Sequence, residues 1–403
     1  MNVLVVCHYG LYQSLTASFV HNQVKAYAAL GHRVRVIVQI PFGKTLTPPG
    51  AEGGPFLKRR TDGGAELFYV RYLSFSNLGK RRFNTPSAIA AIRSQLSVIL
   101  KDFMPDVIHA HTLGLDSGIG AWLKGRLHVP LVVTTHGSDA FIPYKNGELA
   151  LLKELADQAD HLVCVSTLLR RRMEGCGASV PMSVILNGFQ AKDPPSCDKP
   201  SFSVLQAGYL VARKKADMTI RAVASLRRRY PEMTLDIVGS GSELERFQTL
   251  CRELGVSDIV RFHGFLPNPE TLAVMARSRF FVMPSIREGF GIVYLEAMAC
   301  GCVTIGTEGE GIADLIVSGE NGFLVPPDDP DAIARTIEWC LSHPEEAGAI
   351  AERGRRDAGG LTWEKNAAEY MRLFGELQYG RKNTDRADPV DPSAVGVFHD
   401  PGL

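Results

Sequence analysis

Two glutamates with seven residues between them, Glu288 and Glu296, stand in the segment Pro284-Ser285-Ile286-Arg287-Glu288-Gly289-Phe290-Gly291 and its apolar continuation. Gly289 and Gly291 let the backbone come close to a ligand, and the unpaired N–H groups of the helical turn that follows suit hydroxyls or phosphates. Glu296 falls between Ile292-Val293-Tyr294-Leu295 and Ala297-Met298-Ala299, where a carboxylate is costly to bury unless donors reach it. A ribose diol would supply them. The same residue chemistry also allows Glu288 to cap the helix and Glu296 to be satisfied by neighbouring backbone.

A second cluster is cationic. Gly208-Tyr209-Leu210-Val211-Ala212-Arg213-Lys214-Lys215 lies between a strand and a helix, so three cations meet a helix N-terminus, an arrangement suited to a diphosphate. The cofactor motifs it could be mistaken for are missing. The chain holds no G-x-x-x-x-G-K-[ST], Val238-Gly239-Ser240-Gly241 lacks the third glycine of a dinucleotide site, and no C-x-x-C pair exists. Asp329-Pro330-Asp331 reads as a helix start rather than a metal chelate. The eight cysteines, including the close pair Cys300 and Cys302, fall mostly in apolar segments and read as buried thiols.

These residues need elements to hold them, and short β-branched runs alternate with helical-period segments nearly end to end. In the first half strands are expected at 3–7, 34–38, 107–110, 131–135, 162–165 and 184–186, with helices at 20–30, 88–103 and 149–156. Crossovers of ten or more residues are what parallel neighbours require. After three prolines in residues 191–200 the alternation restarts, with strands at 204–207, 235–238, 260–262, 280–283 and 303–305 and helices at 219–229, 243–253, 271–277 and 293–300. The expected architecture is two doubly wound α/β domains, 1–190 and 201–361, joined by a linker over 191–200. A helix over 362–378 follows, with Thr362 as its N-cap, and a polar, disordered tail is expected over 380–403. Ligands of open parallel sheets bind beyond the carboxyl ends of the strands. Those positions hold His8, His111, His136 and Asn187-Gly188 in the first domain. In the second they hold Gly208-Tyr209, Gly239-Ser240-Gly241, Gly264, Ser285 to Gly291 and Gly306-Thr307-Glu308.

Composition narrows the class. With 403 residues, 45% hydrophobic and 22% charged, the chain is an ordinary globular protein, and no apolar run nears the roughly 18 residues that would span a bilayer. A cytoplasmic location is expected. The net charge of +1 hides an asymmetry: residues 1–200 carry 22 basic and 14 acidic side chains, residues 201–403 carry 22 and 29. The basic half, through Lys58-Arg59-Arg60, Lys80-Arg81-Arg82 and Arg170-Arg171-Arg172, could meet an anionic membrane surface peripherally. A nucleic-acid partner is not expected.

The glutamate segment, through Cys300-Gly301, resembles the signature of retaining glycosyltransferases of family 4. The resemblance spans roughly residues 1 to 378 and includes Asp106-Val107-Ile108-His109-Ala110-His111, Thr135-His136-Gly137-Ser138-Asp139, Val165-Ser166, Ile185-Leu186-Asn187-Gly188 and Asn321-Gly322-Phe323-Leu324-Val325-Pro326. It implies a GT-B fold, two Rossmann-like domains facing across a cleft, with the terminal helix crossing back to the first. It also implies transfer from a nucleotide sugar, UDP- or GDP-linked, with retention and without a divalent metal or other cofactor. Carried over by position, Glu288 would contact the donor sugar hydroxyls, and Gly289, Phe290 and Gly291 would touch the sugar through backbone. Glu296 would hold the ribose, Lys214 the diphosphate, and His136 the sugar near the reacting carbon. Three positions depart. Tyr209 stands where relatives usually carry arginine and Lys215 where they often carry glycine, so Arg213 or Lys215 is expected to compensate. Gln190 replaces an aspartate near the domain boundary. The expected acceptor is a glycan, as in a lipid-linked polysaccharide or cell-surface glycan precursor. Two other readings are a nucleotide-sugar epimerase of the same fold and a catalytically silent relative that binds a glycan or protein partner.

Overall fold

The β-branched runs become the strands of two sheets. The computed structural model describes residues 1–8, 19–42, 50–74, 81–141, 148–190 and 199–387. The first sheet holds β1 (Asn2–His8), β2 (Arg33–Pro41), β3 (Glu52–Gly53), β4 (Leu57–Asp62), β5 (Ala65–Tyr72), β6 (Val107–His111), β7 (Leu131–Thr135), β8 (His161–Cys164) and β9 (Met182–Val184). The second holds β10 (Ser203–Ala207), β11 (Thr234–Val238), β12 (Val260–Gly264), β13 (Phe280–Val282), β14 (Val303–Thr307) and β15 (Phe323–Val325).

Strand order in the second sheet is β12-β11-β10-β13-β14-β15, all parallel. The order reverses between β10 and β13, which opens a crevice beyond their carboxyl ends. The cationic loop follows β10 and the glutamate loop follows β13, so both cross that point. The first sheet runs β3-β4-β5-β2-β1-β6-β7-β8-β9 and reverses between β1 and β6. Val3 to Cys7 are fully buried, which is why the strand reads as an unbroken apolar run rather than an alternation.

Four departures from the sequence reading have physical causes. The first sheet is not wholly parallel, because β3 and β4 pair antiparallel and β4 pairs antiparallel with β5. Gly63 and Gly64, both at positive φ, make the two-residue turn that matches strand twist in a hairpin. The last strand of that sheet is 182–184 rather than 184–186, since Ile185 to Gly188 leave the sheet to meet the terminal helix. Phe323–Val325, read as a motif, is an edge strand beside β14. The terminal helix, Trp363–Ala387, runs past 378 and takes in the first residues assigned to the tail; no proline interrupts it before Pro389. The rest of the tail, 388–403, and linker residues 191–198 lie outside the described residues.

The terminal helix crosses from the second sheet to the first. Thr362 caps it, accepting from Lys365 N at 3.3 Å. Its Tyr370 and Phe374 rings pack 6.2 and 6.1 Å from that of Tyr27, on the helix Phe19–Ala29. Burying each such ring contributes roughly 1.5–3 kcal/mol. Gln23 Nε2 donates to Asn366 Oδ1 at 2.7 Å, and Asn366 Nδ2 donates to Leu186 O at 2.8 Å. Gly188 permits the crossing: a Cβ there would sit 2.6 Å from Trp363 N. No described helix is long and apolar enough to cross a membrane.

Candidate functional site

A cavity of about 930 Å³ lies between the halves, and its walls include His136, Tyr209, Arg213, Lys214, Glu288 to Gly291 and Glu296. The residues given catalytic or donor-binding roles by the family resemblance therefore line one space, with Tyr209 and Arg213. Asn187 and Gln190 line it too, whereas His8 and His111 are not among its lining residues. The halves meet tightly beside the cavity. A Cβ on Gly289 would stand 2.3 Å from His136 O, so only glycine lets the glutamate loop pass under the His136 turn.

The loop after β10 forms a single 3-10 turn, Ala212–Lys214, with Lys215 in the left-handed region capping the helix Ala216–Leu226. This geometry separates the three cations. Lys214 Nζ points inward, 2.5 Å from Glu288 Oε2 and 3.5 Å from Met283 Sδ. Arg213 NH1 reaches the same Glu288 oxygen at 3.2 Å. Lys215 instead pairs with Asp328 at 2.5 Å. Of the two cations expected to compensate for Tyr209, Arg213 thus faces Glu288 and the cavity, and Lys215 faces Asp328. Arg213→Ala is expected to raise the donor KM about 5- to 10-fold, the loss of one charge-assisted hydrogen bond, and Lys215→Ala to change it less than about twofold. Steady-state kinetics giving the reverse order would sink this assignment.

Burial pushes the Glu288 carboxyl up, but Lys214 and then Arg213 outweigh it and hold it below its ordinary value, so it is ionised at neutral pH. Glu288 is not a helix cap: the helix Ile292–Ala299 begins after it, with Gly291 at the N-cap. Glu296, on that helix, accepts from Asn268 Nδ2 at 2.7 Å, a side chain at the start of the helix Asn268–Ala276.

Three supporting residues escaped the sequence reading. Gln206, buried in β10, donates to Lys214 O at 2.9 Å and accepts from Thr219 Oγ1 at 2.6 Å, which holds the cationic turn. Glu310 accepts from Glu288 N at 2.8 Å. Arg287 sits at φ 56 just before Glu288, an uncommon backbone for a non-glycine residue, and Glu310 braces that bend. Asn268 is the third. The only sequence signal for Glu310 was its place just after the glycine-containing turn at the end of β14.

On the opposite wall, the turn after β7 is pinned by Asp139, whose carboxylate accepts from His136 N at 3.1 Å, Gly137 N at 2.9 Å and Leu113 N at 2.9 Å. Phe19 packs 4.4 Å from the His136 ring. Burial lowers His136 to about 4, despite the opposing Asp139 charge, and lowers His109 to about 3 and His111 well below its ordinary value. All three imidazoles are neutral at pH 7. His8 pairs with buried Asp116 at 3.0 Å.

The other candidates settle into structural places. Asp329 accepts from Ala332 N at 2.8 Å as a helix N-cap. Cys302 Sγ lies 3.2 and 3.3 Å from Met275 O and Ser278 O, and the described cysteines form no disulfide. Of the basic clusters, Arg170 pairs with Glu174 at 2.9 Å, and Arg172 lies 4.9 Å over the Phe141 ring. Lys58 and Arg59 lie on β4. Lys80 and the side chains of Arg81 and Arg82 fall outside the described residues.

Two family descriptions divide the chain between them. Glycosyltransferase Family 4 matches residues 16–192, and Glycosyl transferases group 1 matches residues 190–357. The chain is 31% identical over 280 residues to the GDP-mannose-dependent alpha-(1-6)-phosphatidylinositol monomannoside mannosyltransferase of Mycolicibacterium smegmatis, covering 64% of this chain and 72% of that one. Its fold is similar to that of sucrose-phosphate synthase from Thermosynechococcus elongatus, with a TM-score of 0.73, 21% identity, and 94% and 100% of the two chains covered. It is also similar to Anabaena HepE in complex with UDP, with a TM-score of 0.70, 18% identity, and 93% and 100% covered. Two sheets of mainly parallel strands facing one cleft, each half matched in order by its own description, and the relative at 31% identity make the chain a member of the group 1, family 4 glycosyltransferases with the GT-B fold.

Proposed function

We propose that this glycosyltransferase moves a sugar from a UDP- or GDP-linked donor to a glycan acceptor, with retention and without a divalent metal. The observation that carries the reading is the buried Lys214, paired with Glu288 and set opposite His136 across the cleft. Lys214 and Arg213 against one carboxylate leave a net positive charge where a diphosphate would lie, and the first turn of Ile292–Ala299 adds N–H groups. In this reading the basic side chains are the charge that meets the leaving group.

In the proposed step the acceptor hydroxyl attacks the anomeric carbon from the face that the diphosphate leaves. The new carbon–oxygen bond forms as the bond to the phosphate oxygen breaks, and that oxygen takes the hydroxyl proton. Lys214, Arg213 and the helix N–H groups stabilise the charge that develops on the departing diphosphate. Glu288 and the Gly289-Phe290-Gly291 backbone hold the sugar, Glu296 holds the ribose, Tyr209 gives a neutral hydrogen bond, and His136 touches the sugar near the reacting carbon.

The mannosyltransferase relative, named for a GDP-mannose donor and a phosphatidylinositol mannoside acceptor, and the UDP held by HepE support a nucleotide sugar and a lipid-linked glycan. The basic first half, through Lys58 and Arg59, would then rest peripherally on the anionic cytoplasmic face of a membrane.

Purified chain incubated with UDP- and GDP-sugars and lipid-linked glycan acceptors is expected to give product with the donor's anomeric configuration, read by NMR. Full activity is expected in EDTA. Loss in EDTA restored by magnesium or manganese would overturn the metal-free step, and an inverted product would overturn retention. Donor conversion without acceptor would mark an epimerase. Nucleotide binding without any turnover would mark a silent relative.

A further inference from the structure

His111, at the end of β6, is fully buried behind the cleft wall. Its Nδ1 lies 3.1 Å from His136 Nε2, and the two rings stack with centroids 5.4 Å apart at 17°. On its other side the His109 ring lies 4.2 Å away. His109 is itself held by Thr134 Oγ1 at 2.8 Å and Tyr27 OH at 3.3 Å, and Thr134 by Tyr370 OH of the terminal helix at 2.9 Å. A continuous buried network therefore runs from the terminal helix to the cleft.

Proton counting gives this network a direction. A neutral imidazole carries one N–H, and the bond between His111 Nδ1 and His136 Nε2 needs one of the two rings to donate. The remaining atoms, His111 Nε2 and His136 Nδ1, are both buried with no hydrogen-bond partner among the described residues. If His136 donated from Nε2, the proton of His111 would sit on Nε2, an N–H sealed in the interior. Orphaned buried donors are rare and costly. If His111 donates from Nδ1, its own unused atom is only a lone pair. The unmatched N–H then falls on His136 Nδ1, in a half-buried residue that lines the cavity and is the one of the two a substrate approaches, whereas His111 is fully buried and lines none of it.

We propose that His111 is a positioning residue for the transfer: by donating from Nδ1 it holds the His136 ring and sets it in the Nδ1–H tautomer, so that His136 offers a hydrogen bond to an oxygen of the bound sugar nucleotide. The proposal rests on the role given to His136 above, and the spectroscopic arm of its test does not depend on that role.

Long-range ¹H–¹⁵N spectra of the full chain labelled in histidine, with the His136 signals assigned by their loss in His136→Asn, read the tautomer directly. A protonated Nδ1 is expected, and a protonated Nε2 would overturn the proposal in the unmutated protein. In kinetics, His111→Phe keeps a ring without the donor and is expected to lower kcat about 10- to 100-fold, the cost of an unmade buried hydrogen bond, with donor KM within about twofold. His111→Asn, whose amide N–H can stand near the Nδ1 position, is expected to recover most of that loss. In a His136→Ala background, His111→Phe should cost nothing further. Equal losses in the two His111 variants, or an undiminished loss in that background, would make His111 a packing residue and overturn the proposal. Full turnover in His136→Ala alone would overturn the transfer role of His136, separately from the tautomer.

Discussion

Lys214→Ala is expected to cut turnover about 10²- to 10³-fold, the loss that follows removal of a preorganised donor from a developing oxyanion. The residue is 9% exposed, so its ammonium works in a medium where charge is poorly screened. It is also held before substrate arrives. Gln206 grips the backbone carbonyl, Met283 Sδ lies 3.5 Å from Nζ, and Glu288 lies 2.5 Å from it. Arg213 cannot replace it, since its guanidinium approaches Glu288 from the exposed side at 3.2 Å. Lys214→Arg should fail nearly as badly, because the planar fork does not fit the space between a thioether and a carboxylate that one ammonium fills. Single-turnover rates at saturating donor, compared with melting temperature, separate this effect from misfolding. A loss under tenfold in a variant that melts like the parent would remove Lys214 from the chemical step.

The two site loops were legible in the sequence because each follows a strand that periodicity identifies, and strand ends at a topological switch point are where such folds bind. What escaped has a different origin. The hairpin β4–β5 carries Lys58-Arg59-Arg60-Thr61-Asp62 on one strand, too polar to stand out among buried parallel runs, although Asp62-Gly63-Gly64 was a local turn signal. Glu310, after β14, Asn268, at the start of a helix, and Gln206, on β10, owe their places to the fold bringing them beside groups 22, 28 and 8 residues away. No spacing rule reaches such pairs. The three adjacent cations show the same limit at close range. Their sequence is a single cluster, and only the left-handed backbone of Lys215, φ 51, turns its ammonium to Asp328 while Lys214 faces inward.

The second large effect divides the two glutamates. Glu288→Ala is expected to lower kcat about 10²-fold while leaving free-nucleotide affinity unchanged or tighter, and Glu296→Ala to weaken nucleotide binding about 10-fold with kcat at saturating donor nearly kept. The difference follows from what each carboxylate faces. Glu288 is shared by Lys214 and Arg213, the same cations to which the proposed mechanism assigns the diphosphate, so on that reading it competes with the nucleotide. Removing it frees both cations for phosphate. The loss appears in the transfer step, where the sugar no longer has a hydrogen-bond acceptor fixed by the Glu310-braced loop. Glu296 stands on the following helix, where Asn268 donates to it, and in the proposed site a ribose diol that donates to it would contribute binding common to substrate and transition state. Such uniform binding changes KM more than kcat. Burial raises the Glu288 carboxyl and the two cations more than reverse it, so Glu288→Gln, which keeps the shape and removes the charge, should resemble alanine rather than the parent. Isothermal titration with UDP and GDP, beside single-turnover rates, reads both halves of the contrast. Equal losses of nucleotide affinity in the Glu288 and Glu296 variants would show that the two carboxylates grip one part of the donor.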